Sequence, residues 1–475
     1  MNSDQREQVR SNALYLRDVR PIDPEEIAEY IEGQPHPAVV RQVLREQSLD
    51  LALVERDDGA FEPVSEEPIA PEFRGVESFP EQYSRKLEDL LVGEFGVGWP
   101  DGESGAQLRE TIRRLKEDYF AQNSVEYDYR VALGYAIYHL PDYYAAVQYV
   151  LSELAERGLL SKKLRVLDVG AGVGGPALGL HDFYPEDSLV EYHAVEPSDA
   201  VEVFAAMTEE TRESFDATTH RETAEAFEPD GEYDIVLFAN VLTEVDDPET
   251  VVEKYLDYLA DDGAMVAIAP ADKNASIGLR EVERSVSDRT TVYSPTLRLW
   301  PSEEPSDRGW SFDVKPDLEI PAFQRRLDGS EDRDESEDGG ADDRGDGEFV
   351  NVDVQYSHVI LRTDGIRRRE FTADKSRSAK MAEMERHVTE RVNLVAVKLS
   401  HSLSEDGRNE LFKISDGSEN VGHFAVLTKE TALNRALREA AYGGLVSFEE
   451  VLVLWNEDEG AYNLVVDEKT IVDRL

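Results

Sequence analysis

Apolar side chains recur at three- and four-residue steps from Tyr127 to Leu159, and this spacing predicts helix. Leu140-Pro141-Asp142 interrupts the pattern, so two helices are predicted, with Pro141 in the first turn of the second. Nearer the N-terminus, shorter helical patterns alternate with breaks rich in proline and glutamate. They predict helices at Pro24–Ile31 behind a capping Asp23, at Pro37–Gln47 and at Ser84–Gly93, and they indicate a helical accessory region over residues 1–120.

Short apolar runs begin at residue 164 and alternate with helical patterns. The predicted strands are Leu164–Gly170, Glu191–Glu196, Tyr233–Asn240, Ala264–Ala269, Val350–Val354 and Tyr356–Leu361. Strands that alternate with helices at this spacing predict a parallel, doubly wound α/β sheet. We assign this Rossmann-like domain to residues 121–365.

Three further stretches have a different character. Asp328–Glu348 is rich in Gly, Ser, Asp and Glu with Ala341 as its one hydrophobe, which predicts a disordered acidic insertion. Residues 366–391 predict a charged helical linker. From residue 392 to 475, three strand patterns, a helix at Thr428–Tyr442 and two more strands follow, in the order of a five-stranded OB-like barrel.

The chain of 475 residues is strongly acidic, with 101 Asp and Glu against 50 Lys and Arg and a formal charge of −51. This charge is either a docking surface for basic partners or an adaptation to a salt-loaded, halophilic cytoplasm. The even spread of acidic residues favours the second interpretation. In molar salt the Debye length is roughly 3 Å, so the acidity does not exclude a nucleic-acid partner.

Two classes of feature are missing from the sequence. The chain has no cysteine, which excludes disulfides, cysteine-held iron–sulfur clusters, cysteine nucleophiles and cysteine-dependent carbon-5 methylation of pyrimidines. The first residues lack an apolar signal segment, and no run of about 18 apolar residues predicts a membrane span. A cytoplasmic protein without a membrane partner is therefore expected, and no spacing typical of metal ligands is found.

The candidate chemistry lies where the first strand of the sheet meets the next helix. Glycines at 170, 172 and 174 allow a ligand to approach the backbone, although this region also fits the dinucleotide G-x-G-x-x-G spacing. Asp168, two residues before the first glycine, favours S-adenosylmethionine, whose amino group an acid there commonly meets; alternatively Asp168 caps the turn. The candidate cofactor-binding residues are Asp168, Gly170, Ala171, Gly172, Gly174, Glu196 and Asn240, which ends the predicted strand Tyr233–Asn240. Glu196 fits the ribose of S-adenosylmethionine or of a nicotinamide dinucleotide.

The sequence says less about the methyl acceptor than about the cofactor. The Asn-Pro-Pro-Tyr motif of nucleic-acid N-methyltransferases is absent from the end of the predicted strand Tyr233–Asn240, where residues Ala239–Val245 have a different sequence. Glu244 is a candidate base, with a solvated glutamate as the competing interpretation. His181, His193 and His358 are interpreted as structural, so the catalytic residues stay unassigned.

Several motifs in one order resemble the methyltransferase-like family of the mitochondrial ribosomal small subunit, which has bacterial and archaeal relatives. The motifs are Leu140–Val147, Val150–Leu154, Leu167–Gly172, Ala239–Val245, Phe323–Leu327 and Tyr356–Arg362. The resemblance covers roughly residues 125–365 and implies S-adenosylmethionine, 16S rRNA or the small subunit as partner, and a role in assembly or translation. Many relatives carry cysteines where Tyr293–Asp313 has none, so the iron–sulfur cluster is absent and packing or salt must stabilise this segment.

Three functions remain open. The chain is an S-adenosylmethionine-binding, ribosome-associated protein, a true methyltransferase of rRNA or another acceptor, or a non-enzymatic assembly factor with a relic cofactor site. Within the OB-like barrel, candidates for RNA contact are Lys398, Lys413, Phe412 and His423, although Phe412 also fits the core. Arg367–Arg369 is the densest basic run, and the oligomeric state is not predicted.

Overall fold

In the computed structural model the described residues are 1–56, 58–121, 123, 125–301, 303–306, 310–329, 347–404 and 407–475. They form two units, one of residues 1–235 with 317–352 and one of residues 236–316 with 353–475. Each unit is described by itself. Most of the predicted acidic insertion, residues 330–346, lies outside the described residues, and its disorder stays a prediction.

The first unit opens with helices that bury one apolar face each. The elements are α1 (Ser3–Leu16), α2 (Pro24–Tyr30), α3 (Pro37–Glu46), α4 (Ser48–Leu51), the hairpin β1 (Leu53–Glu55) and β2 (Phe61–Pro63), α5 (Glu81–Phe95) and α6 (Gly102–Ala121). Val9, Ile27, Val40, Leu44 and Phe61 belong to one buried cluster among them. The three predicted helices are present, and the Asp23 side chain accepts a hydrogen bond from the Glu25 N–H as the cap of α2.

A single helix, α7 (Tyr129–Ala155), replaces the two predicted around Pro141. Proline cannot donate to the carbonyl four residues earlier, and that loss usually breaks a helix. Here the Gln324 side chain donates to the Ile137 carbonyl at 2.8 Å, and the Asn351 side chain donates to the Tyr138 carbonyl at 3.0 Å. Because buried carbonyls in this turn have other donors, the prediction of two helices was wrong.

The α/β sheet has eight strands. They are β3 (Lys163–Val169), β4 (Leu189–Val195), β5 (Phe215–His220), β6 (Tyr233–Ala239), β7 (Leu259–Pro270), β8 (Thr291–Ser294), β9 (Asp313–Val314) and β10 (Gln355–Arg362), in the order β5-β4-β3-β6-β7-β10-β8 with β9 beside β10. The helices between them are α8 (Gly175–Phe183), α9 (Ala200–Thr208), α10 (Pro248–Leu256), α11 (Lys273–Ser285) and α12 (Ala322–Asp328).

The predicted sheet was wrong in one respect, because it is mixed and not wholly parallel. Strands β3, β4 and β5 are parallel, whereas β10 runs antiparallel to β7, β8 and β9. An apolar run carries no sign of strand direction, and β10 arrives after a long connection and not after a simple helical crossover. The strand predicted at Val350–Val354 is irregular chain, although three of its valines are buried.

The C-terminal part of the second unit is a closed barrel. Its elements are β11 (Arg391–Lys398), β12 (Glu410–Ser415), β13 (His423–Leu427), α13 (Ala436–Glu439), β14 (Leu445–Asn456), β15 (Ala461–Val466) and β16 (Ile471–Arg474). The order β11-β12-β13-β15-β14, with β14 back on β11 and β13 parallel to β15, confirms the OB-like prediction. The predicted helix at Thr428–Tyr442 shrinks to the single turn of α13, and β16 is an added strand.

The segment before the barrel, residues 366–391, is not the predicted helical linker. Its regular structure is one 3₁₀ helix, Met381–His387. Buried Ala373, Met381 and Met384 fix it to its surroundings, and the Ala373 N–H donates to the Leu299 carbonyl at 2.8 Å. The chain here has adjacent arginines and few apolar residues at helical spacing, so isolated anchors and not one apolar face determine its path.

The cysteine-free segment that precedes β9 is held by packing. Leu297, Leu299 and Trp300 share a buried cluster with Val397 and Tyr442. The Trp300 indole N–H also donates to Asp416 at 2.6 Å. In the described ranges, no group of three or more His, Asp or Glu side chains is arranged to hold a metal ion.

Among the helices that the structure describes, none has the length and the apolar composition that a membrane crossing requires. The longest, α7, has 27 residues, and it packs its small and apolar side chains against the rest of the first unit.

The Pro141 arrangement makes a prediction about stability. Gln324→Ala leaves the Ile137 carbonyl buried without a donor, so it should lower the free energy of unfolding by about 1–3 kcal/mol. In a Pro141→Ala background residue 141 regains an N–H, and the same substitution should cost less. Denaturant unfolding of the four proteins measures this coupling, with Gln42→Ala at an exposed glutamine as the control. Equal costs in both backgrounds would contradict the explanation.

Candidate functional site

The turn between β3 and α8 is built from glycines in the left-handed region. Gly170, Gly172 and Gly174 have φ of 77°, 54° and 93°, which side chains other than glycine rarely adopt. The N–H groups of Gly170 and Ala171 both donate to the Val195 carbonyl, at 2.8 and 3.1 Å. A Cβ at Gly172 would have nothing within 4 Å, so the backbone here borders open space.

Two further glycines bring α8 against α7. A Cβ at Gly179 would lie 2.3 Å from the Tyr144 carbonyl oxygen, and one at Gly175 would lie 3.0 Å from Cβ of Tyr143. No larger residue fits either position without moving the backbone. The start of α8, with its unbonded N–H groups, is therefore fixed beside the Tyr143–Tyr144 turn of α7.

Asp168 is fully buried at the end of β3. Its Oδ2 accepts a hydrogen bond from the Tyr192 hydroxyl at 2.7 Å, while its Oδ1 has no partner among the described residues. Burial, with a contribution from the nearby charge of Glu196, raises the pKa of Asp168 to about 7 although the Tyr192 bond opposes the shift. No described hydrogen bond joins Asp168 to the glycine turn, so the capping interpretation has no support.

Glu196 ties the glycine turn to the end of β4. Its Oε2 accepts from the Gly172 N–H at 3.0 Å, and its Oε1 accepts from the Ser198 N–H at 2.9 Å and the Ser198 hydroxyl at 2.5 Å. A carboxylate accepts about four hydrogen bonds, so these three leave room for one further donor. A ribose contact at Glu196 is then expected through one hydroxyl, and a second would have to displace Ser198.

Asn240 follows β6 and belongs to the second unit. It has a φ of 62°, which asparagine tolerates better than most residues, and its N–H donates to the Ile268 carbonyl at 2.8 Å. The structure thus brings together Asp168, Gly170, Ala171, Gly172, Gly174 and Glu196 in the first unit, and it places Asn240 in a turn of the second. Glu244 is exposed in the chain that follows.

The residues of the first unit fit S-adenosylmethionine. The buried Oδ1 of Asp168 has no donor among the described residues, and the amino group of the methionine part would supply one. Glu196 has capacity for a ribose hydroxyl, and the open backbone at Gly172 allows close approach of the ligand. When bound, S-adenosylmethionine supplies an activated methyl group.

Comparison with protein-family models also indicates a methyltransferase. Residues 135–313 match a methyltransferase domain. Residues 6–57 and 382–475 match the N-terminal and C-terminal domains of a family described as a domain of unknown function, DUF8157. With the strand order of the sheet and the glycine turn, the match defines a class I S-adenosylmethionine methyltransferase domain joined to an OB-like barrel.

Solved structures share parts of this fold. An S-adenosylmethionine-dependent methyltransferase from Clostridium acetobutylicum is 12% identical over 26% of this chain and 50% of its own, with a TM-score of 0.22. A putative methyltransferase from Thermoplasma acidophilum is 13% identical over 44% and 71%, with a TM-score of 0.28. The chain thus spans half the length of the Clostridium protein, and no curated protein matches it.

Sequence reasoning missed a set of polar aromatic residues on α7. Tyr135, His139 and Tyr143 lie four residues apart and share one helix face, with Asp142 beside them. Their half-buried side chains contact one another next to the glycine turn. The four-residue spacing was the signal that could have found them.

Two of the three histidines interpreted as structural, His181 and His193, lie in polar networks. His181 Nδ1 is 2.9 Å from the Tyr83 hydroxyl and 2.7 Å from Asp182, and its Nε2 accepts from the Arg212 N–H. His193 stacks on His220 and lies 2.8 Å from Glu191. His358 is fully buried in β10.

Asp168→Asn should weaken S-adenosylmethionine binding by about 10- to 150-fold, because a hydrogen bond to a charged group contributes roughly 1.5–3 kcal/mol. The wild-type affinity should rise from about pH 6 to about pH 8, since only the ionised carboxylate pairs with the ligand ammonium and its pKa is about 7. The variant should lack this rise. Calorimetry in molar KCl measures both, and an unchanged affinity would remove Asp168 from the site.

The same substitution should stabilise the ligand-free protein at alkaline pH. The folded chain holds the Asp168 proton more tightly than the unfolded chain, so stability from this group falls as pH rises from about 4 through 7. Asp182 is the matched control, because three hydrogen bonds outweigh burial and lower its pKa. The stability that Asp182 contributes is therefore present above about pH 4. At pH 8, Asp168→Asn should raise the melting temperature and Asp182→Asn should lower it.

Proposed function

We propose that this protein is an S-adenosylmethionine-dependent methyltransferase that acts on RNA of the small ribosomal subunit in the cytoplasm, during assembly or translation. The observation that carries the methyltransferase part is the buried, partnerless Oδ1 of Asp168 at the glycine turn. An unsatisfied buried acceptor is costly, and a binding role for a cationic ligand accounts for it. The RNA part rests on the resemblance of its motifs to the ribosomal small-subunit family.

The barrel supports an RNA partner, although not through the residues that the sequence indicated. Lys398, Lys413, Phe412 and His423 are all buried, so the prediction that they face nucleic acid was wrong. The Lys398 ammonium donates to the Ala440 carbonyl at 2.8 Å, and burial lowers its pKa to about 8. Phe412 belongs to the buried cluster of the barrel, whereas Lys413, its neighbour on β12, points to the opposite face and is buried there.

A pair of aromatic rings, one exposed and one partly buried, takes their place. Trp455 on β14 and Tyr462 on β15 face each other with ring centroids 4.8 Å apart, and Trp455 is 41% exposed. Aromatic surfaces of this kind stack unpaired bases without sequence preference. The turn Glu457–Glu459 beside them is acidic, so stacking and not phosphate contact is the expected mode of binding.

The competing function is that of a non-enzymatic assembly factor with a relic cofactor site. It has one argument in its favour, the absence of a recognised acceptor motif after β6. Against it stands the cost of keeping a buried carboxylate whose Oδ1 has no hydrogen-bond donor among the described residues, in a site with no ligand. The two functions make opposite predictions for methyl transfer.

The decisive experiment is transfer of a radiolabelled methyl group to isolated small-subunit RNA and to assembling small subunits in molar KCl. We expect label in 16S rRNA with the wild-type protein and a loss of at least about 10-fold with Asp168→Asn, in line with its weaker binding. Binding of S-adenosylmethionine without transfer to either substrate would favour the assembly factor. If S-adenosylmethionine does not bind at all, both the methyltransferase function and the cofactor-site assignment are contradicted.

RNA contact by the barrel has a separate test. Trp455→Ala should reduce ultraviolet crosslinking to 16S rRNA several-fold, because stacking contributes about 1–3 kcal/mol per base. Leu454→Ala is the matched control, since Leu454 is 38% exposed on the same strand but points to the opposite face. Equal crosslinking by both variants, or crosslinks to tRNA alone, would contradict the assignment.

A further inference from the structure

A row of polar aromatic rings runs along one face of α7. The ring of His139 stacks on that of Tyr143, with centroids 5.1 Å apart and planes inclined by 13°. The Tyr135 ring lies 4.9 Å from His139, and its hydroxyl donates to the Tyr143 hydroxyl at 3.3 Å. Tyr127, before the helix, extends the row with a ring 5.4 Å from Tyr135. We call these four residues the aromatic row.

Both ends of the aromatic row are fixed to the cofactor site. At one end, Cβ of Tyr143 lies 3.0 Å from where a Cβ of Gly175 would be, at the start of α8. At the other end, the Tyr127 carbonyl accepts the Asp199 N–H at 3.2 Å, three residues after Glu196. The row therefore borders the site between the glycine turn and the end of β4.

His139 is paired with a carboxylate within this row. Its Nδ1 lies 3.4 Å from Oδ2 of Asp142, and the side-chain amide of Asn351 donates to the same Oδ2 at 3.1 Å. The Tyr143 N–H donates to the other carboxylate oxygen at 3.0 Å. Asp142 is thereby held in place, and with Nδ1 toward it the Nε2 of His139 is on the opposite side of the ring.

The exposure of this pair suits a role toward a substrate. The side chains of His139 and Asp142 are 28% and 14% exposed, so a substrate can reach the first while the second is mostly shielded. Burial raises the pKa of Asp142, and its contacts with His139, Asn351 and the Tyr143 N–H oppose that shift. A carboxylate held beside an imidazole orients the ring, as in other histidine–carboxylate pairs.

We propose that His139 is the general base for methyl transfer, with Asp142 and Asn351 as its positioning residues. This inference rests on the proposed function. The lone pair of an acceptor nitrogen or oxygen displaces the neutral thioether from the methyl carbon, and the acceptor N–H or O–H proton passes to Nε2 of His139. Because the row consists of aromatic rings, we expect the acceptor to be a planar ring that carries an amine or hydroxyl, as a nucleobase does.

The position of His139 is tested without any acceptor. The chain has no cysteine, so His139→Cys creates a single thiol whose reaction with a disulfide reagent can be followed. His387→Cys is the matched control, because His387 is 30% exposed and also lies three residues before an acid, Glu390. S-adenosylhomocysteine should slow the reaction at 139 at least about 10-fold, as expected for a residue that borders a site closed by ligand, and leave 387 unchanged.

Calorimetry on the same variants confirms that the ligand is bound. If S-adenosylhomocysteine binds the His139→Cys protein and its thiol reacts as fast as before, the position is wrong and the inference is overturned. Should that variant fold poorly, protection of the wild-type His139 from ethoxycarbonylation, followed by mass spectrometry, replaces it with the same two outcomes.

The chemical role is tested with S-adenosylmethionine at saturation and 16S rRNA as acceptor. His139→Gln should lower kcat by about 100-fold or more while the Kd of S-adenosylmethionine is unchanged, and Asp142→Asn should give a smaller loss. The wild-type rate should fall at acid pH, and His139→Gln should lack that limb. The titratable groups around His139 are Tyr135, Tyr138, Asp142 and Tyr143, with Lys116 4.1 Å from the Tyr138 ring.

The two proposals fail in different ways. If the wild-type protein transfers no methyl group to RNA, the proposed function fails, while thiol protection still decides whether His139 borders the site. If transfer occurs and His139→Gln retains the wild-type kcat and pH profile, the base assignment alone is overturned. His387→Gln should retain both in every case.

Discussion

One missing backbone N–H, that of Pro141, organises the first unit. The Ile137 carbonyl would be buried without its helical donor, and Gln324 supplies one, while Asn351 donates to the neighbouring Tyr138 carbonyl. Both side chains come from the chain that precedes β10. The same turn of α7 receives the glycine face of α8. It also sets His139 and Asp142 side by side. Helix continuity, the seat of the cofactor turn and the candidate base thus depend on one constraint.

Local patterns of apolar and polar residues predict much of the fold. Apolar runs predicted β3, β4, β6 and β7, and the succession of strands and a helix predicted the barrel, because side-chain burial repeats within each element. They missed β5, in which Phe215 is the one buried residue. What failed depended on distant partners. The donor for the Ile137 carbonyl lies 187 residues away, and no helical pattern reveals it. The direction of β10 and the irregular path of residues 366–391 are likewise decided by tertiary contacts.

The candidate site also has a part that local sequence patterns predict and a part that they do not. Asp168, the glycines and Glu196 were recognisable because a strand end, a tight turn and a helix start lie within a few residues. The aromatic row was not recognisable, because aromatic residues at four-residue steps are equally typical of a buried core. Its surroundings become visible only through the contacts of Asn351 with Asp142 and of Gly175 with Tyr143. Lys398 and Lys413 show the reverse error, in which charge was taken as a sign of exposure although both side chains are buried.

The first unit is discontinuous in the chain, and this affects how it can be made. Residues 236–316 must be synthesised before Gln324, and Asn351 emerges later still, 213 residues after the carbonyl that it bonds. During translation α7 and the cofactor turn therefore exist for a long interval without the contacts that complete them. Domains usually fold in order from the N-terminus as they emerge, and contacts of such separation form slowly. This unit therefore has to wait for residues 317–352, which are made only after residues 236–316 of the other unit.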